Sequence, residues 1–87
     1  MSDSYGSSIQ ATASGTDLVA QYPAMSNVQS WVQNKGPGAI RVWFTSSSTL
    51  PTGGGVDLNP GDTWFGNAAH CWVQLLGASA IIAVGLV

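Results

Sequence analysis

Charged side chains are scarce in this chain of 87 residues. Two are basic and four are acidic, so the net charge is −2 at neutral pH. An ordinary soluble domain has about a quarter of its residues charged. Two basic residues cannot supply the several phosphate contacts on which nucleic-acid affinity depends, and they form no basic patch for an anionic membrane. We therefore expect no nucleic-acid or membrane partner. The low charge also indicates a protein whose surface is covered in part by neighbouring subunits.

Cysteine and histidine are equally scarce, because the chain has one of each, His70 and Cys71. A single cysteine excludes an intrachain disulfide, and a lone thiol fits a reducing cytoplasm. Neighbours on a strand point to opposite faces, so this pair cannot share a metal or act together as nucleophile and base. A zinc site needs about four ligands, and the chain has no second His or Cys to supply them. We expect Cys71 to be an inert core thiol and His70 a loop or edge residue.

The sequence also contains segments that resemble a phosphate-binding loop or a calcium site, and we predict that both are structural. No Lys-Ser or Lys-Thr follows Gly53-Gly54-Gly55, so this segment is a flexible loop and not a phosphate loop. Asp57 and Asp62 flank a turn, and we interpret them as turn residues more readily than as a calcium site. No acid, base and nucleophile converge, so the sequence predicts no enzyme, no catalytic residue, no cofactor and no metal.

Long hydrophobic runs are also missing. The uncharged stretch nearest to a membrane span, residues 72–87, has 16 residues where a membrane helix needs about 20, and Gln74, Gly77 and Ser79 interrupt it. The first residues show no basic segment followed by an apolar one, so we expect no secretory signal. One small domain of this length buries a limited core, which makes self-association an expected source of further burial.

Short apolar runs separated by turn residues follow one another from Leu18 onward, a pattern typical of an antiparallel sandwich or barrel. The sequence predicts a small all-β, jelly-roll-like β-sandwich over residues 17–87, with a flexible N-terminal arm over residues 1–16. That arm either lies across a neighbouring subunit or is a frayed terminus. The predicted strands are 18–22, 28–33, 40–45, 56–58, 63–65, 71–76 and 80–86.

Two reversals are predicted to join strands that are consecutive in the chain. Residues 34–38, Asn-Lys-Gly-Pro-Gly, supply the backbone freedom of a hairpin between the second and third predicted strands. Residues 77–79 would pair the last two strands. Alternation puts Val28 and Val32 on the core face of the second strand, and it puts Ile40, Val42 and Phe44 on the core face of the third.

The opposite faces of these strands carry tryptophan among polar neighbours. Trp31, Trp43 and Trp72 alternate with Gln, Thr and Arg residues, and Arg41 stands beside Trp43. Tryptophan and arginine are enriched at binding hot spots. We interpret Trp31, Arg41, Trp43 and Trp72 as a candidate contact face for subunits or carbohydrate; the other interpretation is that a loop or second layer covers the indoles and makes them core.

The order of these motifs resembles a family of small β-sandwich virion proteins of bacteriophages, used as head decoration or cement proteins and in related accessory roles. The match runs from Leu18 to Val87: Pro23 after the first strand, the glycine-rich reversal after Gln33-Asn34, the aromatic strand from Arg41, the turn over residues 58–64 and the last reversal. The chain departs from the family in its number of tryptophans and in Ile81-Ile82, which leaves head and tail positions both open.

The resemblance implies a non-enzymatic protein that holds capsid subunits together or decorates the shell, often as a trimer on a symmetry axis. The expected partners are the major capsid protein or another virion protein and further copies of the chain, and the expected location is the virion, assembled in the host cytoplasm. The alternative is a carbohydrate-binding or adhesion module of a virion or cell-surface assembly.

Overall fold

The computed structural model describes residues 3–87, with side chains from residue 9 onward. Eight strands dominate it: β1 (Asp3–Gln10), β2 (Thr16–Asp17), β3 (Ser30–Pro37), β4 (Ile40–Thr45), β5 (Val56–Leu58), β6 (Thr63–Gly66), β7 (His70–Leu75) and β8 (Ala80–Leu86). One helical turn, α1 (Leu18–Gln21), and a 3₁₀ turn over Pro23–Met25 follow β2. Neither is long and apolar enough to cross a membrane.

The strands form two antiparallel sheets that pack face to face. The first sheet has the order β1-β8-β3-β6 and the second has the order β2-β7-β4-β5. Apart from β4 and β5, which are neighbours in one sheet, each strand is followed by a strand of the other sheet. Eight strands arranged in this way form a jelly roll. The predicted small β-sandwich is confirmed.

The core lies between the sheets and is built by alternation. Along β3 every second residue is buried, and the first residues of β4 and of β7 show the same alternation, as a strand with one face on a core requires. Fully buried aliphatic side chains come from both sheets and from the helical segment: Leu18, Met25, Val32, Ile40, Val42, Val73, Ile82 and Val84. The prediction that Ile40 and Val42 face the core is therefore correct.

The first predicted strand, residues 18–22, is wrong because this segment is helical. Asp17 has an extended backbone and caps the helix, and its Oδ1 accepts a hydrogen bond of 3.1 Å from the Val19 amide. An aspartate at this position satisfies an amide that the first helical turn leaves open. Leu18 and Val19 are buried by this turn, so their apolar character serves a helix and not a strand.

The two predicted reversals do not join paired strands. β3 pairs with β8 and β6, while β4 pairs with β7 and β5, so residues 34–38 and 77–79 connect different sheets. The connections lie side by side: Gly38 donates to the Ser79 carbonyl at 2.7 Å, and Leu76 donates to the Ala39 carbonyl at 3.0 Å. A Cβ on Gly38 would lie 2.5 Å from the Ser79 oxygen. Close packing between the crossings explains this glycine.

Two smaller differences concern the ends of the predicted elements. Val28 is not a core residue but is 42% exposed. It lies in a turn before β3, where its own backbone amide donates to the Met25 carbonyl. The segment predicted as an arm outside the domain contributes β1, which pairs with β8 at the edge of the first sheet. Backbone pairing needs no apolar side chains, so composition alone did not indicate this strand.

Candidate interaction surfaces

The four predicted contact residues lie on two different surfaces. Arg41, Trp43 and Trp72 share the outer face of the second sheet, where Trp43 stands directly opposite Trp72 in the β4–β7 pair. Trp31 lies on the outer face of the first sheet, opposite Phe65 of β6. The two outer faces point away from each other across the sandwich. The structure therefore brings three of the four residues together and separates Trp31 from them.

A loop covers Trp43. The connection from β4 to β5, residues 46–55, folds back over the ring, and the indole N–H donates to the Gly53 carbonyl at 2.9 Å. Gly55, with a φ of +87°, lies so close that a Cβ there would be 2.7 Å from the ring. Trp43 is only 8% exposed. For this tryptophan the interpretation as a covered, core-like residue is the one that the geometry supports.

Trp72 is more open than Trp43 but is held in the same way. Its indole N–H donates to the Ser47 carbonyl at 3.1 Å, and the ring remains half-buried. On the same face, the Arg41 guanidinium makes two hydrogen bonds to the Asp57 carboxylate, through Nε at 2.5 Å and Nη2 at 3.1 Å. The result is a fixed indole edge beside an exposed ion pair, which is a polar surface with one aromatic component.

The ion pair changes the titration of both partners. The hydrogen bonds from Arg41, with a smaller contribution from its charge, lower the pKa of Asp57, while Asp57 raises the pKa of Arg41. Both groups are exposed, so water and salt screen the attraction. The pair orients the two side chains on this face. It also engages the carboxylate of Asp57, which the sequence offered as one of two candidate calcium ligands.

Among the side chains that the structure describes, the most exposed aromatic ones are residues that the sequence prediction did not select. Trp64 is 42% exposed and Phe65 is 54% exposed, and both belong to β6, the last strand of the first sheet. We call Thr63–Gly66 the β6 edge. Trp31 lies beside Phe65, and its indole nitrogen is buried with no hydrogen-bond partner among the described residues. The available signal was the pair of adjacent aromatic residues in the Thr-Trp-Phe-Gly run directly after the Asp62 turn.

A second unpredicted feature joins Asp17 to His70. The Oδ2 atom of Asp17 lies 2.8 Å from His70 Nδ1, and its Oδ1 accepts from the backbone amides of Val19 and Cys71. A carboxylate that orients an imidazole is part of many catalytic triads. Here the neighbouring thiol of Cys71 is buried in the core, and burial, with a smaller contribution from the Asp17 charge, raises its pKa. Cys71 is therefore protonated and inaccessible, as predicted for a core thiol.

Residues 3–87 form no pocket, and the described side chains include no group of three or more His, Cys, Asp or Glu residues that could hold a metal. Asp62 instead closes the turn before β6, where its Oδ2 accepts from the Asn59 amide at 2.9 Å. What remains are two surfaces, the outer face of the second sheet around Trp72 and the β6 edge.

Comparisons with protein-family models, with curated proteins and with solved structures give no match for this chain. The class of protein is therefore defined by its own structure. It is a small eight-stranded jelly roll that has one polar, tryptophan-containing face and one exposed aromatic edge.

Proposed function

We propose that this chain is a non-enzymatic virion structural protein, a capsid decoration or cement protein that binds the shell lattice and stabilises it through subunit contacts. Its partners are the major capsid protein or another virion protein and further copies of itself. It acts in the virion and is assembled in the host cytoplasm. The resemblance to small phage virion proteins supplies this identity, and the exposed surfaces described above support a role in assembly.

The β6 edge is the observation that carries the proposal. Trp64 and Phe65 expose much of their rings on consecutive residues of a strand at the end of a sheet. None of its four residues is charged. Soluble monomers protect edge strands with charge, proline or bulges, and exposed aromatic patches mark contact sites. A protein that works while attached to neighbours does not need such protection.

Low charge and fold support the same function. With six charged side chains in the chain, polar uncharged residues supply most of the wetted surface, as expected of a protein surrounded by other subunits. Double-sheet jelly rolls occur among viral capsid domains and also among lectins. Because one fold hosts many functions, the surface residues and not the fold distinguish these two classes.

The proposal is tested by particle association. Particles banded on a density gradient from the source culture should contain the chain in a fixed ratio to the major capsid protein. Particles stripped of the chain should bind it back, and the rebound particles should resist heating better. If the chain is absent from the particle band, the proposal is refuted.

Two variants of similar exposure locate the contact. Phe65→Lys puts a charge on the β6 edge, whereas Leu76→Lys puts the same charge on an apolar residue, 42% exposed, in the connection after β7. We expect Phe65→Lys to lose rebinding to stripped particles and Leu76→Lys to retain it. Equal rebinding by both variants would show that the β6 edge is not the contact.

A carbohydrate-binding or adhesion module is the second candidate, and Trp72 favours it. Its half-exposed ring is fixed by the Ser47 carbonyl and lies near Gln74 and Arg41, so an aromatic surface and polar groups adjoin. Sugar rings stack on aromatic faces that carry such polar neighbours. Fluorescence quenching by a cell-surface polysaccharide that Trp72→Ala abolishes and Trp64→Ala keeps would favour this candidate. No quenching across a glycan panel would count against it.

A further inference from the structure

We propose that the β6 edge pairs antiparallel with the β6 edge of a second copy, around a twofold axis at Phe65, so that two four-stranded sheets become one eight-stranded sheet. The proposal rests on the proposed function in one respect, namely that the β6 edge is a contact surface. It adds the partner, the register and the symmetry of the contact. A twofold contact produces dimers, whereas the resemblance to decoration proteins implies trimers.

The backbone of β6 has the right phase for this pairing. In the β3–β6 ladder, Asn34 donates to the Asp62 carbonyl at 3.0 Å, and the register continues with Val32 opposite Trp64. Hydrogen-bonded and non-bonded pairs alternate in an antiparallel ladder. The backbone N–H and C=O groups of Trp64 therefore form hydrogen bonds with β3. The N–H and C=O groups of Phe65 point to the open side of the sheet. Two copies of Phe65 can exchange both hydrogen bonds across a twofold axis.

The side chains fit the same register. A twofold axis perpendicular to the sheet keeps inner faces next to inner faces, so residues that become opposite must point the same way. Centring on Phe65 satisfies this condition, because it sets Phe65 opposite itself on the outer face and Trp64 opposite Gly66 of the second copy on the inner face. The large indole meets a residue without a side chain, next to Phe44, which already packs on Gly66.

The outer face becomes a continuous aromatic row. Trp31 already lies opposite Phe65 within one chain. In the pair, the order across the four central strands is Trp31, Phe65, then Phe65 and Trp31 of the second copy. Aromatic cross-strand pairs stabilise sheets beyond simple burial of area. The exposed ring of Phe65 thereby has an aromatic neighbour on each side.

Charge and comparison with the other edges favour a second copy at β6. The chain has a negative charge at Asp62, but in this register the two Asp62 residues lie six residues apart along the strand, about 20 Å, where salt screens their repulsion. The other strands at sheet edges are less suited: β1 has register shifts, β2 has two residues, and β5 contains Asp57 of the ion pair. Self-pairing at β6 meets no such obstacle.

The contact is small, which determines the concentration range of the test. Four residues from each side bury much less than the roughly 1,600 Å² of a standard interface, so we expect a dissociation constant of about 10–100 μM in free solution. On a lattice, neighbouring copies are held at high effective concentration. Weak pairing in solution is therefore compatible with stable pairing on a particle.

Cysteine cross-linking tests the register. Phe65→Cys places two thiols opposite each other at a Cα separation of about 5.5 Å, which suits a disulfide. Thr63→Cys is the matched control, because its two copies lie four residues apart along the strand, about 14 Å, beyond disulfide reach. We expect mild oxidation to convert Phe65→Cys to a species of twice the 8.9 kDa chain mass, with Thr63→Cys remaining a monomer. The buried Cys71 does not compete.

Hydrogen exchange on the unmodified chain provides a second measurement. The Phe65 amide should become protected as concentration rises through 10–100 μM, while the Trp64 amide, already bonded to β3, should not change. Equal cross-linking of both cysteine variants, or Phe65 exchange that is independent of concentration, would overturn the pairing. Particle association without cross-linking refutes only the pairing, and cross-linking without particle association refutes only the virion function.

Discussion

Replacing Asn34 by alanine should destabilise the fold strongly, because this side chain joins three segments inside the core. Asn34 is fully buried. Its Nδ2 donates to the carbonyls of Gly38 at 2.8 Å and Leu58 at 2.9 Å, and its Oδ1 accepts from the Gly36 amide at 2.8 Å. The amide thus connects the β3–β4 crossing to the end of β5.

The magnitude follows from what alanine leaves behind. Each hydrogen bond contributes about 1 kcal/mol, and each buried backbone group without a partner costs about 1–3 kcal/mol. With three bonds lost and partial relaxation of the three groups, we expect a loss of about 3–5 kcal/mol in the free energy of unfolding. That is a large share of the roughly 5–15 kcal/mol that stabilises a typical domain.

Urea unfolding followed by tryptophan fluorescence measures this loss. Asn67→Ala is the matched control, since it removes one exposed hydrogen bond, from Nδ2 to Gln29 Oε1 at 3.1 Å, and should change stability by less than about 0.5 kcal/mol. A loss below about 1 kcal/mol for Asn34→Ala would refute the reasoning. It would mean that water or other groups replace all three contacts.

Three further predictions follow from the second sheet. Trp43→Ala should cost about 3–5 kcal/mol of stability, clearly more than Trp72→Ala, because only Trp43 is covered by the loop; equal unfolding midpoints would contradict this. Arg41→Gln should raise the pKa of Asp57 toward its ordinary value, as followed by carboxyl NMR chemical shifts. Because Asp57 titrates lower in the folded chain, its contribution to stability is present above the unfolded pKa and is lost as pH falls through the folded one; Arg41→Gln should weaken that acid sensitivity, and an unchanged Asp57 titration would show that the pair does not form. Cys71 should react with a thiol reagent only after unfolding, and rapid labelling of the native chain would contradict its burial.

Sequence patterns located strands better than they located strand partners. β4, β5 and β8 have the predicted bounds, since alternation of apolar and polar residues is a local property. Pairing is not local. The glycine-rich segment after Asn34 has hairpin composition, yet it crosses between sheets because β3 pairs with β8. Nothing in residues 34–38 indicates the strand that lies some 45 positions later.

The candidate contact residues show the same difference between local patterns, which the sequence predicts, and non-local arrangement, which it does not. Alternation correctly placed Arg41, Trp43 and Trp72 on one face, but it could not show that a later loop covers Trp43. Nor could it show that Trp31 belongs to the opposite sheet. The exposure of Phe65 follows from β6 being the last strand of its sheet, which depends on the order of all four strands. Sheet edges are properties of the whole fold.

The most direct test of the central claim, that the β6 edge pairs with the β6 edge of a second copy, is the mass of the full chain by sedimentation across a dilution series, beside that of Phe65→Lys. The account predicts that the mass of the unmodified chain rises with concentration from 8.9 kDa, and that folded Phe65→Lys remains a monomer throughout. A rise toward twice the chain mass supports the twofold pairing. If both proteins stay monomeric at every concentration, or if both associate equally, the claim is contradicted.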